Sequence, residues 1–182
     1  MTEKRIVLVT GANGGIGRAT VLEFAKRGWL AIGVDRDELD FEFPEDGLFV
    51  QTDIAKPEAV SDLFSQVKER YGRLDALVNN AAIYDGIKRK PFYEIDLAEW
   101  DLVMDVNIKG AFLAARAVFP YMQEQGYGKI INLASEVFFT GSHGFAHYVS
   151  SKGGIIGLTR ALAVEMGPYN ICINCVAPGF TD

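Results

Sequence analysis

The stretch Thr10–Gly17, TGANGGIG, decides how the N-terminal part of this chain folds. It follows a short apolar run at Arg5–Thr10 and leads into a segment of helical period at Ile16–Arg27. Three of its glycines, at positions 11, 15 and 17, have the spacing G-x-x-x-G-x-G. Glycines permit a tight turn and a close approach of the backbone to a neighbouring group. The stretch therefore predicts a strand, a tight turn and a helix in direct succession.

The same alternation of strand and helix continues along all 182 residues. Strand candidates are Arg5–Thr10, Leu30–Val34, Leu48–Gln51, Ala76–Asn79, Lys129–Leu133 and Ile171–Val176, and helix candidates are Ile16–Arg27, Pro57–Tyr71, Ala98 to about Gln125, and His147–Gly167. The strands are continuously apolar, which is typical of strands with helices on both faces of the sheet. Repeated β-α units of this kind form a parallel, doubly wound sheet. We predict a single α/β domain of Rossmann type over residues 1–182, with its ligand at the carboxyl ends of the strands.

Composition and charge argue against several classes of function. The formal net charge is -6, so no basic face is available for nucleic acid or for an anionic membrane. No apolar stretch is long enough for a membrane span or a signal peptide, and we expect a cytoplasmic protein. The basic cluster at Lys88–Lys90 is interpreted as a solvated loop.

Two cysteines, Cys172 and Cys175, have the C-x-x-C spacing of redox dithiols and half zinc sites. They lie in the strand candidate Ile171–Val176, where residues three apart point to opposite faces. No second cysteine pair is present, and the two histidines offer only a sparse alternative set of ligands. We therefore expect no metal site and predict that both thiols are buried in the strand.

The glycine turn has the features of a phosphate-binding loop. A helix N-terminus offers free N–H groups and the positive end of a dipole to an anion. Asp35 then follows the second strand candidate, eighteen positions after Gly17. A carboxylate there can accept hydrogen bonds from the hydroxyls of an adenosine ribose and would repel a 2′-phosphate. The loop and Asp35 together favour NAD over NADP, although the adjacent Arg36 could pair with a phosphate.

The chain resembles the short-chain dehydrogenase/reductase family along essentially its whole length. The resemblance rests on ordered landmarks: TGANGGIG at Thr10–Gly17, Asp53 after the third strand, NNAA at Asn79–Ala82, Asn107 in DVNIKG, Ser135 in NLAS, Tyr148 and Lys152 in YVSSK, and PG at Pro178–Gly179. Two positions depart from the family pattern, because Ala82 replaces a glycine and Cys172 stands where arginine is common.

The resemblance implies that the cofactor is a nicotinamide dinucleotide. The residues that would contact it are Gly11, Asn13, Gly15, Ile16, Gly17, Asp35, Asp53, Ile54, Asn80, Ala81, Tyr148, Lys152, Pro178 and Gly179. Asp53 and Ile54 would hold the adenine edge, whereas Pro178 and Gly179 would contact the nicotinamide end.

The resemblance also implies hydride transfer between a secondary alcohol and a ketone, with Ser135, Tyr148, Lys152 and Asn107 as the catalytic set. Tyr148 would be the acid/base, and its pKa, about 10 in a free tyrosine, must fall if it is to act near neutral pH. Lys152 lies four positions later on the same predicted helix face, and its charge is expected to lower that pKa. Ser135 would donate a hydrogen bond to the substrate oxygen, and Asn107 would help to hold a water that relays the proton.

The variable loops indicate the substrate only in outline. Their apolar residues, which favour an apolar alcohol or carbonyl compound, are Ile83, Tyr84, Val137, Phe138, Phe139 and Phe145. His147 lies about 100° around the predicted helix from Tyr148 and is a further candidate for substrate contact. Ser150 and Ser151 are expected to point elsewhere on that helix.

The chain ends at Asp182, shortly after the PG landmark. The family pattern continues through a substrate lid, another helix and a seventh strand, so we expect this chain to be C-terminally incomplete relative to the family. The resemblance implies a homodimer or homotetramer built partly on the Ala98–Gln125 and His147–Gly167 helices.

Three functions stay open: an NAD-dependent dehydrogenase or reductase, a nucleotide-binding fragment with little catalysis, and a non-enzymatic interaction module on the same scaffold. The enzyme is favoured, because a pure binding role has no need of Ser135, Tyr148 and Lys152 together.

Overall fold

The computed structural model describes residues 4–180, which form one parallel sheet flanked by helices. The strands are β1 (Ile6–Thr10), β2 (Leu30–Asp35), β3 (Leu48–Gln51), β4 (Ala76–Asn79), β5 (Gly128–Leu133) and β6 (Ile171–Val176). The α-helices are α1 (Gly15–Lys26), α2 (Pro57–Tyr71), α3 (Leu97–Met104), α4 (Ala111–Gln125), α5 (Val137–Thr140) and α6 (Ala146–Met166). Within this part of the chain, no helix combines the length and the apolar character that crossing a membrane requires.

All neighbouring strands are parallel, and their order is β3-β2-β1-β4-β5-β6. The order reverses at β1, which pairs with β2 on one side and with β4 on the other. Right-handed crossovers in the two directions place helices on opposite faces. Accordingly, α1 covers one face, and α2, α4 and α6 pack on the other. The predicted doubly wound α/β fold is confirmed.

The central strand β1 buries side chains on both faces of the sheet. Ile6 and Leu8 belong to the core under α2, α4 and α6, whereas Val7 and Val9 belong to the core under α1. Full burial of such a side chain stabilises the fold by about 1.5–3 kcal/mol. This two-sided burial explains why the strand reads as a continuous apolar run.

The edge strand β6 departs from that pattern. Ile171 and Ile173 are buried on the face that α6 covers, but Cys172 between them is exposed. The prediction of two buried thiols is therefore wrong for Cys172, whose Sγ accepts a hydrogen bond from Lys129 Nζ at 2.9 Å. Cys175 is partly buried. The prediction fails because, within residues 4–180, helices cover only the Ile171 and Ile173 face of β6.

The helix predicted from Ala98 to about Gln125 is interrupted. A π-helical turn at Asp105–Gly110 separates α3 from α4. Asn107 and Gly110 are buried in this turn. A Cβ on Gly110 would lie 2.5 Å from Ile54 Cδ1, so the turn packs closely against the segment after β3. Turns of this type are often found at functional sites.

A buried chain of polar side chains ties α6 to the middle of the sheet. Asn79 Nδ2 donates to Asn132 Oδ1 at 2.9 Å, and Asn132 Nδ2 donates to Thr159 Oγ1 at 2.9 Å. Thr159 Oγ1 in turn donates to the carbonyl oxygen of Ile155 at 2.7 Å. Buried polar groups are costly when unpaired, so this chain fixes α6 relative to β4 and β5.

Candidate active site

A cleft of about 860 Å³ opens at the carboxyl ends of the strands, where the strand order reverses. The predicted site residues that line it are Gly11, Asn13, Gly15, Ile16, Asp35, Asp53, Ile54, Asn80, Ala81, Ser135, Tyr148, Lys152, Pro178 and Gly179. Gly17 and Asn107 are predicted site residues outside this lining. The fold thus brings most of the predicted site into one crevice.

Gly17 lies beneath the glycine loop rather than on its surface. A Cβ at this position would overlap the carbonyl oxygen of Gly11. Gly11 has φ +68°, and a Cβ there would lie 2.7 Å from Ala81 Cα. Both positions therefore require glycine, because α1, the loop and the segment after β4 meet there.

The first turn of α1 presents N–H groups that no side chain caps. The helix begins at Gly15, and its N-cap residue, Gly14, has no side chain that could cap the free N–H groups. A Cβ on Gly15 would meet nothing within 4 Å, and Gly14, Gly15 and Ile16 all line the cleft. An uncapped helix N-terminus that opens into a cleft is suited to bind an anion such as a pyrophosphate.

Thr10 and Asn80 hold the glycine loop against the end of β4. The Thr10 hydroxyl accepts hydrogen bonds from the backbone N–H groups of Asn80 and Ala81, both at 3.1 Å. Asn80 Nδ2 donates to the carbonyl oxygens of Thr10 and Gly11 at 3.0 and 3.1 Å. Sequence reasoning missed Thr10, because a threonine at a strand end carries no signal of its own.

Asp35 is fixed at the far end of the cleft. Its Oδ2 accepts from the Asn13 backbone N–H at 2.9 Å, and its Oδ1 accepts from the Asp37 N–H at 3.2 Å. Asn13 Nδ2 donates to the carbonyl oxygens of Asp37 and Glu38 at 3.3 and 2.7 Å. Asn13 Oδ1 is buried and has no hydrogen-bond partner within residues 4–180. A buried acceptor without a partner in a cleft-lining residue fits a bound polar ligand.

The two arginines near Asp35 are both paired with acids. Arg36 Nε lies 3.5 Å from Asp37 Oδ1, and Arg18 Nη2 pairs with Asp40 Oδ1. Residues 35–46 contain seven acids and one basic residue. Exposed ion pairs contribute little to stability, but the charge balance around Asp35 is clearly acidic.

Tyr148 is buried at the opposite end of the cleft. Its ring centroid lies 5.1 Å from that of Tyr84 and 6.2 Å from that of Phe145. Burial raises the pKa of Tyr148 above its ordinary value of 10.0, the charges of Tyr84 and Asp85 raise it further, and a hydrogen bond with Ser135 lowers it. In the protein without a bound cofactor, the prediction of a lowered pKa for Tyr148 is wrong, because the effect of burial outweighs that of the hydrogen bond.

Lys152 is not among the groups that lower the pKa of Tyr148, contrary to expectation. Its Nζ donates to the carbonyl oxygen of Leu133 at 2.8 Å and lies 5.5 Å from the centroid of the Tyr148 ring. Burial lowers the pKa of Lys152 from 10.5 to about 8. With a pKa of about 8, most of the Lys152 amine is still protonated at neutral pH.

The Asn107 side chain is engaged by protein groups. Its Oδ1 accepts from the Ile83 N–H at 2.7 Å, and its Nδ2 donates to the Ile83 carbonyl oxygen at 3.3 Å and to Ser151 Oγ at 3.0 Å. The water-holding role of Asn107 stays a prediction.

Ser151 lies outside the cleft lining but contacts Asn107, a predicted site residue. Ser151 is fully buried, and its hydroxyl donates to the Tyr148 carbonyl oxygen at 2.7 Å. The helical repeat could not show this, because Ser151 faces the π turn that packs against α6. Its bonds connect Asn107 to the first turn of α6.

The apolar walls at the substrate end are fewer than predicted. Ile83, Tyr84 and Val137 line the cleft, whereas Phe138, Phe139 and Phe145 are not part of its lining. Phe139 is 72% exposed, and Phe145 packs beneath Tyr84 and Tyr148.

His147 and Arg89 both lie where the sequence did not predict them: His147 is outside the cleft, and Arg89 lines it. His147 is fully buried outside the cleft lining, with Nε2 2.9 Å from Glu99 Oε1, so the expected contact with substrate is wrong. Arg89, interpreted from the sequence as part of a solvated loop, lines the cleft. Side-chain type and helical spacing could not reveal either outcome, because both depend on how the loop after β4 folds back.

Comparison with known proteins gives consistent matches. The sequence profile of the family described as short chain dehydrogenase matches residues 5–182. An acetoacetyl-CoA reductase from Acinetobacter sp. is 40% identical, and the match covers 100% of this chain and 76% of that protein. A 3-ketoacyl-(acyl-carrier-protein) reductase from Brucella melitensis, solved with NADH, has a TM-score of 0.91 at 31% identity and covers 97% of this chain and 76% of its own. ElxO, solved with NADP bound, has a TM-score of 0.90 at 31% identity and covers 98% and 74%.

We expect Gly17→Ala to destabilise the protein and to weaken NADH binding, because the new methyl group would overlap the Gly11 carbonyl oxygen. Overpacking of this kind costs about 1–3 kcal/mol. Denaturant unfolding measures the free energy of unfolding, and fluorescence titration measures NADH binding. Gly157→Ala in α6 is the matched control, because a Cβ there meets nothing within 4 Å. Unchanged stability and NADH affinity in Gly17→Ala would contradict the packing role of this glycine.

The pKa of Tyr148 should rise in Ser135→Ala, which removes the hydrogen bond that lowers it. It should fall in Asp85→Asn, which removes a negative charge that raises it. Ultraviolet difference titration against Tyr148→Phe isolates this one phenol among seven tyrosines. Shifts in the opposite directions would show that other groups control the phenol.

Proposed function

The chain belongs to the short chain dehydrogenase family, and we propose that it is an NAD-dependent oxidoreductase that interconverts a secondary alcohol and a ketone. The observation that carries this proposal is a single cleft with a buried tyrosine at one end and a fixed carboxylate at the other. Tyr148 and Ser135 line the first end, and Asp35 lines the second. The matched proteins include reductases of carbonyl compounds, which supports the same reaction type here.

The residues of the cleft fit a nicotinamide dinucleotide. The uncapped first turn of α1 would hold the pyrophosphate, and Asp35 with the unpartnered Asn13 Oδ1 would hold the adenosine end. Asp53, Ile54, Asn80 and Ala81 would line the adenine side, and Pro178 and Gly179 the nicotinamide side. When bound, the cofactor supplies or accepts the hydride and, in its oxidised form, carries a positive charge.

The preference for NAD rests on the charges around Asp35. Solved relatives bind NADH or NADP, so the choice depends on this chain's own residues. A 2′-phosphate would meet the Asp35 carboxylate and an acidic segment, while Arg36 and Arg18 are already paired with Asp37 and Asp40. The acidic surroundings therefore favour an unphosphorylated ribose.

Tyr148 is suited to donate a proton to a carbonyl oxygen. Its raised pKa keeps the phenol protonated at neutral pH, which is the state that a general acid requires. Ser135 would donate a hydrogen bond to the same oxygen and so stabilise the negative charge that develops on it. The protonated phenol and Ser135 would therefore act together on the carbonyl oxygen during ketone reduction.

Lys152 and Asn107 have supporting roles in the proposal. The Lys152 amine lines the cleft and, through donors beyond its bond to Leu133, would hold the ribose next to the nicotinamide. Asn107 would help to hold a water on the proton path to bulk solvent. A cytoplasmic location remains a prediction from the sequence.

Assembly into a homodimer or homotetramer is supported by an exposed apolar surface before and along α3. Phe92, Tyr93 and Leu97 are 75%, 73% and 78% exposed, and the ring centroids of Phe92 and Tyr93 lie 5.4 Å apart. Monomeric proteins rarely expose contiguous apolar residues of this size.

We expect Tyr148→Phe to lower kcat for ketone reduction by about 100-fold to 10,000-fold, because it removes the proton donor. NADH binding should remain, since the ring and its packing are retained. Spectrophotometric assays that follow NADH oxidation with a panel of ketones measure turnover. Tyr169→Phe is the matched control, because Tyr169 is exposed and lies outside the cleft lining.

Turnover close to wild type in Tyr148→Phe would contradict the role of Tyr148. NADH binding by the wild type without turnover on any ketone or alcohol would favour the nucleotide-binding alternative. Failure to bind any nicotinamide dinucleotide would favour an interaction module.

We expect the wild-type protein to bind NADH more tightly than NADPH, and Asp35→Asn to reduce that preference roughly tenfold. The substitution removes the charge that repels a 2′-phosphate but retains the shape of the side chain. Equilibrium fluorescence titration with both cofactors measures the ratio. Asp62→Asn, an exposed position on α2, is the control for net charge. Tighter binding of NADPH by the wild type would refute the role of Asp35.

A further inference from the structure

Arg89 lies at the substrate end of the cleft, and the proposed chemistry does not use it. It lines the cleft together with Tyr84, Asp85 and Ser142. Its neighbours Lys88 and Lys90 are absent from the lining. Arg89 is thus the member of this basic cluster that a substrate can reach.

The guanidinium of Arg89 is held in a defined orientation. Its Nη1 donates to Ser142 Oγ at 3.0 Å and to the His143 carbonyl oxygen at 2.7 Å. Its Cζ lies 4.3 Å from the centroid of the Phe145 ring. Its Nε and Nη2 form no hydrogen bond or ion pair with any other residue in the range 4–180, so a planar set of donors remains for a ligand.

The backbone that carries Arg89 is also fixed. The Lys90 N–H donates to the Gly144 carbonyl oxygen at 3.3 Å. Gly144 has φ +79°, and a Cβ there would lie 2.9 Å from Arg89 Cβ, so a glycine is required for the two loops to meet. Lys90 Nζ pairs with Glu99 at 2.6 Å, and Glu99 contacts the buried His147 at 2.9 Å. These contacts fasten the loop of Arg89 to α3 and α6.

Arg89 and Tyr148 both contact the ring of Phe145. The guanidinium packs on Phe145, whose centroid lies 6.2 Å from that of Tyr148. A substrate with its carbonyl oxygen at Tyr148 could therefore place a second polar group at Arg89 through a short carbon chain.

Two acids, Asp85 and Glu136, also line this end of the cleft. Neither side chain is hydrogen-bonded or ion-paired with the rest of residues 4–180, whereas the Arg89 side chain has two such bonds. A side chain that is already ordered loses less entropy when it binds a ligand. Arg89 is therefore the best prepared of the three charges to recognise a substrate group.

From these contacts we infer that Arg89 determines substrate specificity by binding an anionic group, a carboxylate or a phosphate, on the carbonyl substrate. The predicted apolar substrate then becomes an amphiphilic one, with a short carbon chain against Ile83 and Val137 and a negative charge at Arg89. The inference rests on the proposed function, since it names the substrate class of the same site. Arginine suits both anions because its planar fork binds two oxygens at once.

Matched substrate pairs test this inference. The carboxylate pair is 4-oxopentanoate and its methyl ester, and the phosphate pair is hydroxyacetone phosphate and hydroxyacetone. The wild type should prefer the anionic member of at least one pair, which identifies the anion. Arg89→Gln should lower kcat/KM for that member by about 10-fold to 100-fold and leave the neutral member nearly unchanged.

Two further variants show whether an effect of Arg89→Gln comes from the lost contact with the anion, from the change in net charge or from misfolding. Lys88→Gln removes the same charge from the next residue, which is exposed and outside the cleft lining, and should leave both pairs unchanged. Arg89→Lys keeps the charge but loses the fork, and should fall between wild type and Arg89→Gln. An equal effect of Lys88→Gln would overturn the inference.

Calorimetry with oxidised cofactor present measures binding of 4-oxopentanoate and of hydroxyacetone phosphate without turnover. In one outcome, the wild type reduces neutral ketones while Arg89→Gln changes neither anion binding nor the ratio of kcat/KM between the anionic and neutral members of each pair. That result would overturn the inference and leave the proposed function standing. Absence of turnover on every ketone, with anion binding that Arg89→Gln abolishes, would contradict the proposed function and support the Arg89 site.

Discussion

Right-handed crossovers that leave β1 in two directions are the constraint on which the rest of this structure depends. Because α1 must lie on one face and α2, α4 and α6 on the other, one crevice is left open at the carboxyl ends of β1 and β4. Residues that follow different strands then meet in space although they are far apart in sequence. Asp35, Ser135 and Pro178 reach the crevice from the ends of β2, β5 and β6 in this way.

Buried hydrogen bonds convert this crevice into a site with fixed side chains. Thr10 and Asn80 clamp the glycine loop, and the chain from Asn79 through Asn132 to Thr159 fixes α6. Ser151 fastens the first turn of α6 to the π turn. The burial that makes these bonds strong also keeps the Tyr148 phenol protonated. Precise placement and a protonated acid are therefore two consequences of one low-dielectric environment.

The sequence was informative wherever a single physical pattern determined the outcome. Apolar runs gave the strands, and the glycine spacing gave a turn that only glycines can form, as Gly11 and Gly17 demonstrate. Patterns failed where the outcome depended on packing between distant segments. Within residues 4–180, Cys172 is exposed because helices cover only the other face of β6, and Ser151 is buried because a π turn packs against α6.

The pKa of Tyr148 and the position of Arg89 were beyond sequence reasoning for a similar reason. Spacing shows that Lys152 shares a helix face with Tyr148, but it does not show that the amine donates to Leu133. Composition shows a basic cluster, but it does not show which member folds back onto Phe145. Both outcomes depend on desolvation and on loop contacts, which no local motif encodes.

Isotope transfer tests the central claim, reduction of a carbonyl compound within this cleft, most directly. The protein would be incubated with a ketone and with NADH in which deuterium replaces the hydrogen that is transferred as hydride from the nicotinamide ring. The alcohol product would then be examined by mass spectrometry. We predict one deuterium on the carbinol carbon of the product. The claim would be contradicted if the protein binds NADH but forms no labelled alcohol from any of the ketones in the panel.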